Sequence, residues 1–200
     1  MPYFSRRTKI SFGVIAVIVL GFFWARLWNL NGYIPREFID ARLQGAMISQ
    51  NIVNLSNQST AELENINALD NANNFSQALE LTEKVIQESR DIRSQAVELS
   101  DQVSKMTRAL SAIKSFEARQ AALEAISSRL ALISRLINYS DYLNQLLGEL
   151  QARFSGKPGA GDHRVAAIIL QINGEVTAIN SFNNQATQAM SRFDRIVNSR

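Results

Sequence analysis

The middle of the chain repeats apolar residues at every seventh position, and this repeat restricts the fold more than any other feature. The repeated positions are Val85, Ile92, Leu99, Met106 and Ile113. A second set follows each of them by four positions: Ser89, Ala96, Val103 and Leu110. This seven-residue period predicts an α-helix that buries one face against other helices, with Ser89 as a weak point in an otherwise apolar stripe.

Apolar residues recur at helical spacing on both sides of this stretch. In the preceding segment they are Phe38, Ile48, Ile52, Leu55, Ile66 and Leu69, flanked by Ala46, Val53 and Leu63. In the following segment they are Leu123, Ile126, Leu130, Ile133, Ile137 and Leu147, with Leu136, Leu143 and Leu150 widening the face. In the last segment they are Val165, Ile168, Ile172, Val176, Ile179, Phe182, Ala186, Met190, Phe193 and Val197. No segment alternates with period two, so the pattern predicts an all-α fold.

Three interruptions divide this helical pattern. Residues 70–74 are rich in Asn and Asp, which favour turns, and residues 155–161 are rich in glycine. The apolar stripe also changes phase over 111–116. We therefore predict helices over 36–70, 75–111, 116–154 and 163–198, packed as an antiparallel four-helix bundle. The alternative is one continuous helix over 75–154, which would form an elongated coiled-coil oligomer.

The beginning of the chain carries an apolar segment long enough to cross a membrane. Residues 10–24 contain no charge, and the extension to residue 30 adds only Arg26. About 20 such residues span the ~30 Å hydrocarbon core of a bilayer as a helix. We predict a single transmembrane helix over 10–30, followed by a turn at 31–35. Its anchor residues are Ile10, Val14, Val17, Leu20, Phe23, Trp24 and Trp28.

Basic residues precede this segment and predict its orientation. Because Arg6, Arg7 and Lys9 favour the cytoplasmic side, residues 1–9 should be cytoplasmic and the bundle, 36–200, extracytoplasmic. The expected location is the cell membrane, with a single pass. A cleaved signal peptide is the alternative, although residues 23–25 offer no cleavage site with small residues.

The net charge of +3 belongs to the beginning of the chain. Four of the 21 basic residues precede residue 31 and none of the 18 acidic residues does, which leaves 17 basic and 18 acidic residues in the rest. A nearly neutral domain has no overall field that would attract a polyanion, so we predict that the chain does not bind nucleic acid.

Basic residues also concentrate at the end of the predicted bundle that faces the membrane. Segments 36–45, 104–120 and 190–200 contain nine basic and four acidic residues. A membrane-proximal basic surface is predicted from five of them: Arg36, Arg42, Lys114, Arg192 and Arg195. Such a surface would gain up to ~1 kcal/mol per residue beside anionic lipids. The alternative is that these residues offset the negative C-terminal ends of helix dipoles.

The chain lacks the residue sets that most catalytic or metal sites need. It has no cysteine and one histidine, His163, beside the glycine-rich segment. Zinc and di-metal sites need more such ligands. Residues 156–161 lack the Gly-Lys-Ser/Thr ending of a phosphate-binding loop. The carboxylates, including Glu62 and Glu64, are expected on solvated helix faces. We predict no enzymatic activity, no cofactor and no metal.

These observations favour a non-catalytic, membrane-anchored extracytoplasmic scaffold or protein-interaction module, with a protein partner or self-association. Tyr139 and Tyr142 are candidate interaction residues, since tyrosine is enriched at interfaces, although packing in a core or groove would also suit them. An alternative is a ligand-sensing domain that works with a membrane partner, similar in architecture to bacterial periplasmic four-helix sensors.

Overall fold

The structure, a computed structural model, describes residues 34–156 and 162–199. These two ranges contain four long α-helices, one short 3-10 turn and no strand, which confirms the predicted all-α fold as a helical bundle. The helices are α1 (Arg36–Asn71), α2 (Phe75–Ala109), α3 (Phe116–Phe154) and α4 (Asp162–Asn198). The predicted cytoplasmic segment 1–9, with Arg6, Arg7 and Lys9, and the predicted transmembrane helix 10–30 lie outside the described residues.

The chain reverses between α1 and α2 through a turn of three residues. Asn73 adopts a positive φ of 56°, which asparagine tolerates better than most residues with a side chain. The Asn74 amide then donates to the Leu69 carbonyl oxygen over 2.9 Å, which satisfies one of the last carbonyls of α1. The reversal therefore falls within the Asn-rich segment 70–74.

The second reversal separates α2 from α3. A 3-10 turn, Leu110–Ala112, follows α2, and Ile113 is extended and buried. The Ser115 hydroxyl then accepts a hydrogen bond from the Ala118 amide over 3.3 Å and caps α3. Residues 75–154 thus form two helices, and the alternative of one continuous helix is wrong.

Each helix packs against the next one in the chain, and successive helices are antiparallel. Side-chain contacts that join late residues of one helix to early residues of the next show this direction, as for Glu62 with Lys84 and Glu149 with Arg164. We call the end where α1 and α3 begin the base, and the opposite end the tip. At 1.5 Å per residue the helices are about 55 Å long.

Packing of α2 follows the sequence prediction closely. All nine residues of the two predicted sets are buried, including Ser89; seven of them lie in α2, and Leu110 and Ile113 follow its end. Ser89 is not a weak point, because it forms two hydrogen bonds with α3. The Ser140 hydroxyl donates to the Ser89 carbonyl over 2.8 Å, and the Ser89 hydroxyl donates to the Ser140 carbonyl over 3.2 Å. Two small polar residues therefore bring the two backbones close together.

Replacement of Ser89 tests this close approach. Ser89→Leu should lower the free energy of unfolding by about 1–3 kcal/mol, because the larger side chain overpacks the contact. Ser89→Ala should cost about 0.5–1.5 kcal/mol for the hydrogen bond that its hydroxyl donates. Urea unfolding followed by circular dichroism measures both changes. Ser94→Leu, at an exposed position of the same helix, is the control, and an equal loss there would contradict the packing account.

The first half of α3 buries a different face from the one predicted. Leu123 and Leu130 were expected in the interior, but they are 53% and 48% exposed. The predicted Ile126 is buried, but its buried neighbours are Ala118, Ala121, Ala122, Ala125 and Arg129. The alanines allow α3 to approach its neighbours closely, and the large leucines turn outward. A prediction based on the large apolar residues therefore selects the wrong buried face for this part of α3.

The buried face of α1 is more polar than its leucines and isoleucines suggest. Leu55, Leu63 and Leu69 are only partly buried. Polar and charged residues share the buried face with Phe38 and the isoleucines: Arg42, Ser56, Ser59, Glu62 and Asp70. These polar positions define the candidate sites described below.

Candidate functional site

The base is closed by contacts between α1 and α4. The Phe38 and Phe193 rings, both fully buried, lie 5.3 Å apart between centroids. One turn further along α1, the Arg42 guanidinium binds both oxygens of Asp194 over 2.7 and 2.8 Å. Bidentate arginine–carboxylate pairs have fixed geometry and are stronger than neutral hydrogen bonds. These contacts join the first and last helices at the base.

Arg42 was predicted on an exposed basic surface, and the structure contradicts that assignment. Its side chain is only 6% exposed, because it lies on the same helical face as the buried Phe38. A second buried arginine, Arg129 of α3, lies close to it. Burial, together with the charge of Arg42, lowers the pKa of Arg129 to about 10. Gly45 of α1 lies beside it, and a Cβ atom at that position would make an ordinary van der Waals contact with Arg129 Nη1, at 3.6 Å.

The other predicted basic residues of the base lie on the outside. Arg36, Lys114, Arg192 and Arg195 are exposed. Arg192 forms an ion pair with Glu124 of α3, and both side chains are about half exposed. Four of the five residues predicted for the basic surface are therefore exposed, and Arg42 is not.

The two candidate tyrosines have different surroundings. Tyr139 is 3% exposed and belongs to the hydrophobic core, where burial raises its pKa to about 12. At this burial Tyr139 presents almost no surface to a partner. Tyr142 is half-buried and packs against the same core. Packing in a core was the alternative role for both tyrosines, and it agrees with the position of Tyr139.

A buried cluster of carboxylates joins α1 to α2, and sequence reasoning missed it. Glu62 and Glu88 are both buried, and Lys84 forms ion pairs with both. Gln58 Nε2 donates to Glu88 Oε1 over 2.6 Å, and the Ser59 hydroxyl donates to Glu88 Oε2 over 2.9 Å. A signal was present in the sequence, since Ser59, Glu62 and Ile66 follow one another at helical spacing.

Burial perturbs the titration of this cluster. The pKa of Glu88 is raised, mainly because burial disfavours its charged form and secondarily because Glu62 lies close; the hydrogen bond from Ser59 acts in the opposite direction. The pKa of Lys84 is also raised, mainly by its hydrogen bond to Glu62. Two carboxylates therefore share one ammonium group between α1 and α2.

The raised pKa of Glu88 predicts a pH dependence of stability. Between the unfolded value of about 4.5 and the higher folded value, the folded state binds more protons, so its stability should fall as the pH rises through this window. Glu88→Gln should reduce the difference between the unfolding free energies at pH 4.5 and pH 7. Glu83→Gln, an exposed change of equal charge on the same helix, is the control. An equal reduction in both variants would contradict the assignment to Glu88.

Further buried carboxylates lie at the tip and between α3 and α4. Asp70 binds Arg153 over 3.0 Å. Glu175 accepts hydrogen bonds from Arg135 and Asn138, each over 3.4 Å. Each of these pairs joins two helices, so the expectation that carboxylates occupy only solvated faces is wrong for them.

The described residues show little that resembles a ligand or metal site. A groove of about 450 Å³ lies between α1 and α2 in the basal half, with both acidic and basic lining residues: Gln44, Ile48, Glu98, Asp101, Gln102, Ser104, Lys105 and Arg108. His163 is exposed, while the glycine-rich residues 157–161 lie outside the described ranges. Within those ranges no group of three or more His, Asp or Glu residues is placed to hold a metal ion.

α4 is both long and apolar in composition. Of the described helices, it alone is long and apolar enough to cross a membrane, by length and composition only. It nevertheless packs along α3 and places Met190 and Phe193 in the core. α4 therefore contributes side chains to the core, although only 22% of its most apolar stretch is buried.

Comparison of the chain with protein-family models, with curated proteins and with solved structures finds no match.

Proposed function

We propose that this protein is a non-catalytic helical scaffold or protein-interaction module, held on the extracytoplasmic face of the cell membrane by its first 30 residues. The observation that carries this proposal is the uncharged segment 10–24, preceded by Arg6, Arg7 and Lys9. With its extension to residue 30 the segment is long enough to cross a bilayer, and the basic residues favour retention of the N-terminus in the cytoplasm.

The geometry of the base supports this arrangement. α1 begins at Arg36, five residues after the predicted membrane span. Five residues reach at most ~18 Å, so the base must lie close to the end of that span. The exposed Arg36, Lys114 and Arg195 then lie near the headgroups, where anionic lipids attract basic residues. The tip, formed by the turn after α1 and the end of α3, faces away from the membrane.

α4 supports the assignment of the membrane span to residues 10–30. If the apolar part of α4 crossed the membrane, it would leave α3 and expose Glu175 to hydrocarbon. A charge in that environment costs several kcal/mol. The segment 10–30 contains no acidic residue and one basic residue, so its insertion carries a much smaller penalty.

Labelling of single cysteines tests the topology, because the natural chain contains no cysteine. Ser94→Cys, on the exposed face of α2, should react with a membrane-impermeant maleimide in intact cells or spheroplasts. Ser5→Cys should react only after the membrane is permeabilised. The full chain should also resist extraction at alkaline pH. A protected Ser94→Cys variant, or release of the protein by alkali, would overturn the proposal.

A further inference from the structure

One face of α3 carries large apolar residues that the rest of the described bundle leaves uncovered. Phe116, Leu123 and Leu130 are 66%, 53% and 48% exposed and lie seven residues apart. We call these three residues the α3 stripe. Small or polar exposed residues lie between and beyond them: Gln120, Ser127 and Ser134. The inward face of α3 is already occupied by the alanines and by Arg129, so the stripe is not needed for the core.

The spacing of the stripe matches one side of a coiled-coil seam. Residues seven apart stay aligned along a helix that pairs with another helix. If the stripe occupies the d positions of a heptad, Gln120, Ser127 and Ser134 occupy the a positions. From Phe116 to Leu130 the stripe extends ~21 Å along the helix axis. The alternation of large and small residues allows the small positions to lie close to a facing helix.

We infer that the α3 stripe is the contact surface for a second copy of this chain, with the two α3 helices parallel and in register. This inference rests on the proposed function, because copies anchored in one membrane with the same orientation present their α3 helices in the same direction. A two-fold axis along the membrane normal then brings each stripe residue against its own equivalent. Such a contact is self-complementary and closed.

Charges beside the stripe favour the parallel arrangement over the antiparallel one. Arg119 occupies a g position, and Glu124, five residues later, occupies an e position, where it also pairs with Arg192 of its own chain. In a parallel pair these two positions face each other across the seam, so Arg119 of each copy lies near Glu124 of the other. In an antiparallel pair e positions face e positions, so pairing of the two stripes brings Glu124 of one copy near Glu124 of the other.

The size of the stripe indicates that the contact depends on the anchor. Three half-exposed side chains of this size bury on the order of 300 Å² per protomer. A stable dimer in solution buries about 800 Å² per partner. The stripe alone is therefore too small for tight association of dilute monomers. Confinement to a membrane raises the effective concentration and compensates for this, as tethering does in multivalent binding.

Cysteine crosslinking of the full chain in its native membrane tests the inference. Ser127 lies between Leu123 and Leu130 at the proposed two-fold axis, where two cysteines would meet within the ~4.4–6.8 Å Cα separation of a disulfide. Under a mild oxidant, Ser127→Cys should give a covalent species of twice the chain mass. Its yield should exceed that of the matched control Ser94→Cys at least fivefold. Adding Leu123→Glu to Ser127→Cys should lower the yield at least fivefold.

The other outcomes overturn the inference, and they can be told apart. Equal crosslinking of Ser127→Cys and Ser94→Cys, or none in either, excludes the stripe as a contact between copies. A Ser127→Cys adduct of another mass identifies a different partner and excludes the second copy. If Leu123→Glu leaves the crosslinking yield unchanged, the crosslink does not depend on the α3 stripe. Alkaline extraction of the same membranes shows whether the anchor has failed, which would refute the proposed function as well.

Discussion

Asp194→Ala is expected to lower the free energy of unfolding by about 3–5 kcal/mol, because it breaks a buried ion pair by removing one partner. The Arg42 guanidinium, 6% exposed, binds both Asp194 oxygens and lies near the buried Arg129. Loss of the carboxylate leaves two guanidinium groups in a region that already lowers the pKa of Arg129. The base, where α1 meets α4, should therefore separate first on denaturation.

Urea unfolding of the full chain, followed by circular dichroism, measures this loss. Asp141→Ala is the matched control, because Asp141 also forms an ion pair with an arginine, Arg93, but both side chains are about half exposed. An exposed pair contributes about 0–1 kcal/mol, so the control should change little. If both variants lose the same free energy of unfolding, the Arg42–Asp194 pair is no stronger than the exposed Arg93–Asp141 pair.

A double replacement separates the pair from the packing around it. Arg42→Met combined with Asp194→Leu removes both charges and keeps apolar volume at the base. Replacement of a buried ion pair by apolar residues is often neutral or stabilising. The double variant should therefore be more stable than Asp194→Ala alone. If the double variant is less stable than Asp194→Ala, the ion pair itself stabilises the base. The loss in Asp194→Ala then does not come from the remaining charge alone.

The sequence predicted the helices and their order because helical periodicity is a local property. The period of seven in α2 and the Asn-rich turn after α1 each depend on residues close together in the chain. Every apolar position predicted for α2 is buried, and the turn at Asn73 lies where predicted. Local signals of this kind do not depend on which helix becomes the neighbour.

The polar contacts could not be predicted because they depend on pairing between distant helices. Arg42 and Asp194 are 152 residues apart, and Ser89 and Ser140 are 51 apart. The phase of Arg42, four residues after Phe38, indicates burial, but nothing local identifies its partner. The same applies to Glu62 and Glu88, which were assigned to solvated faces.

The error in α3 arose from the size of its side chains rather than from their spacing. Two helical faces of the first half of α3 are compatible with the sequence, one rich in alanine and one with Phe116, Leu123 and Leu130. Close approach to α2 and α4 requires the smaller residues, and only the assembled bundle imposes that requirement. The face with the larger residues is then left on the outside.

Leu143→Ala and Leu123→Ala test this assignment on a single helix. Both leucines were predicted in the interior, but Leu143 is fully buried and Leu123 is 53% exposed. Leu143→Ala should lower the free energy of unfolding by about 2–5 kcal/mol, from lost burial and from the cavity that remains. Leu123→Ala should change it by no more than about 0.5 kcal/mol, as exposed substitutions usually do.

The two variants also separate folding from association. Urea unfolding in dilute detergent, where the α3 stripe should be unpaired, isolates the effect on the fold. In the native membrane, Leu123→Ala should reduce crosslinking through Ser127→Cys although the fold is unchanged, since the substitution shortens a stripe residue without opening a cavity in the core. Equal destabilisation by the two substitutions in detergent would mean that the interior face of α3 includes Leu123, and the stripe would then be part of the core rather than a surface for a second copy.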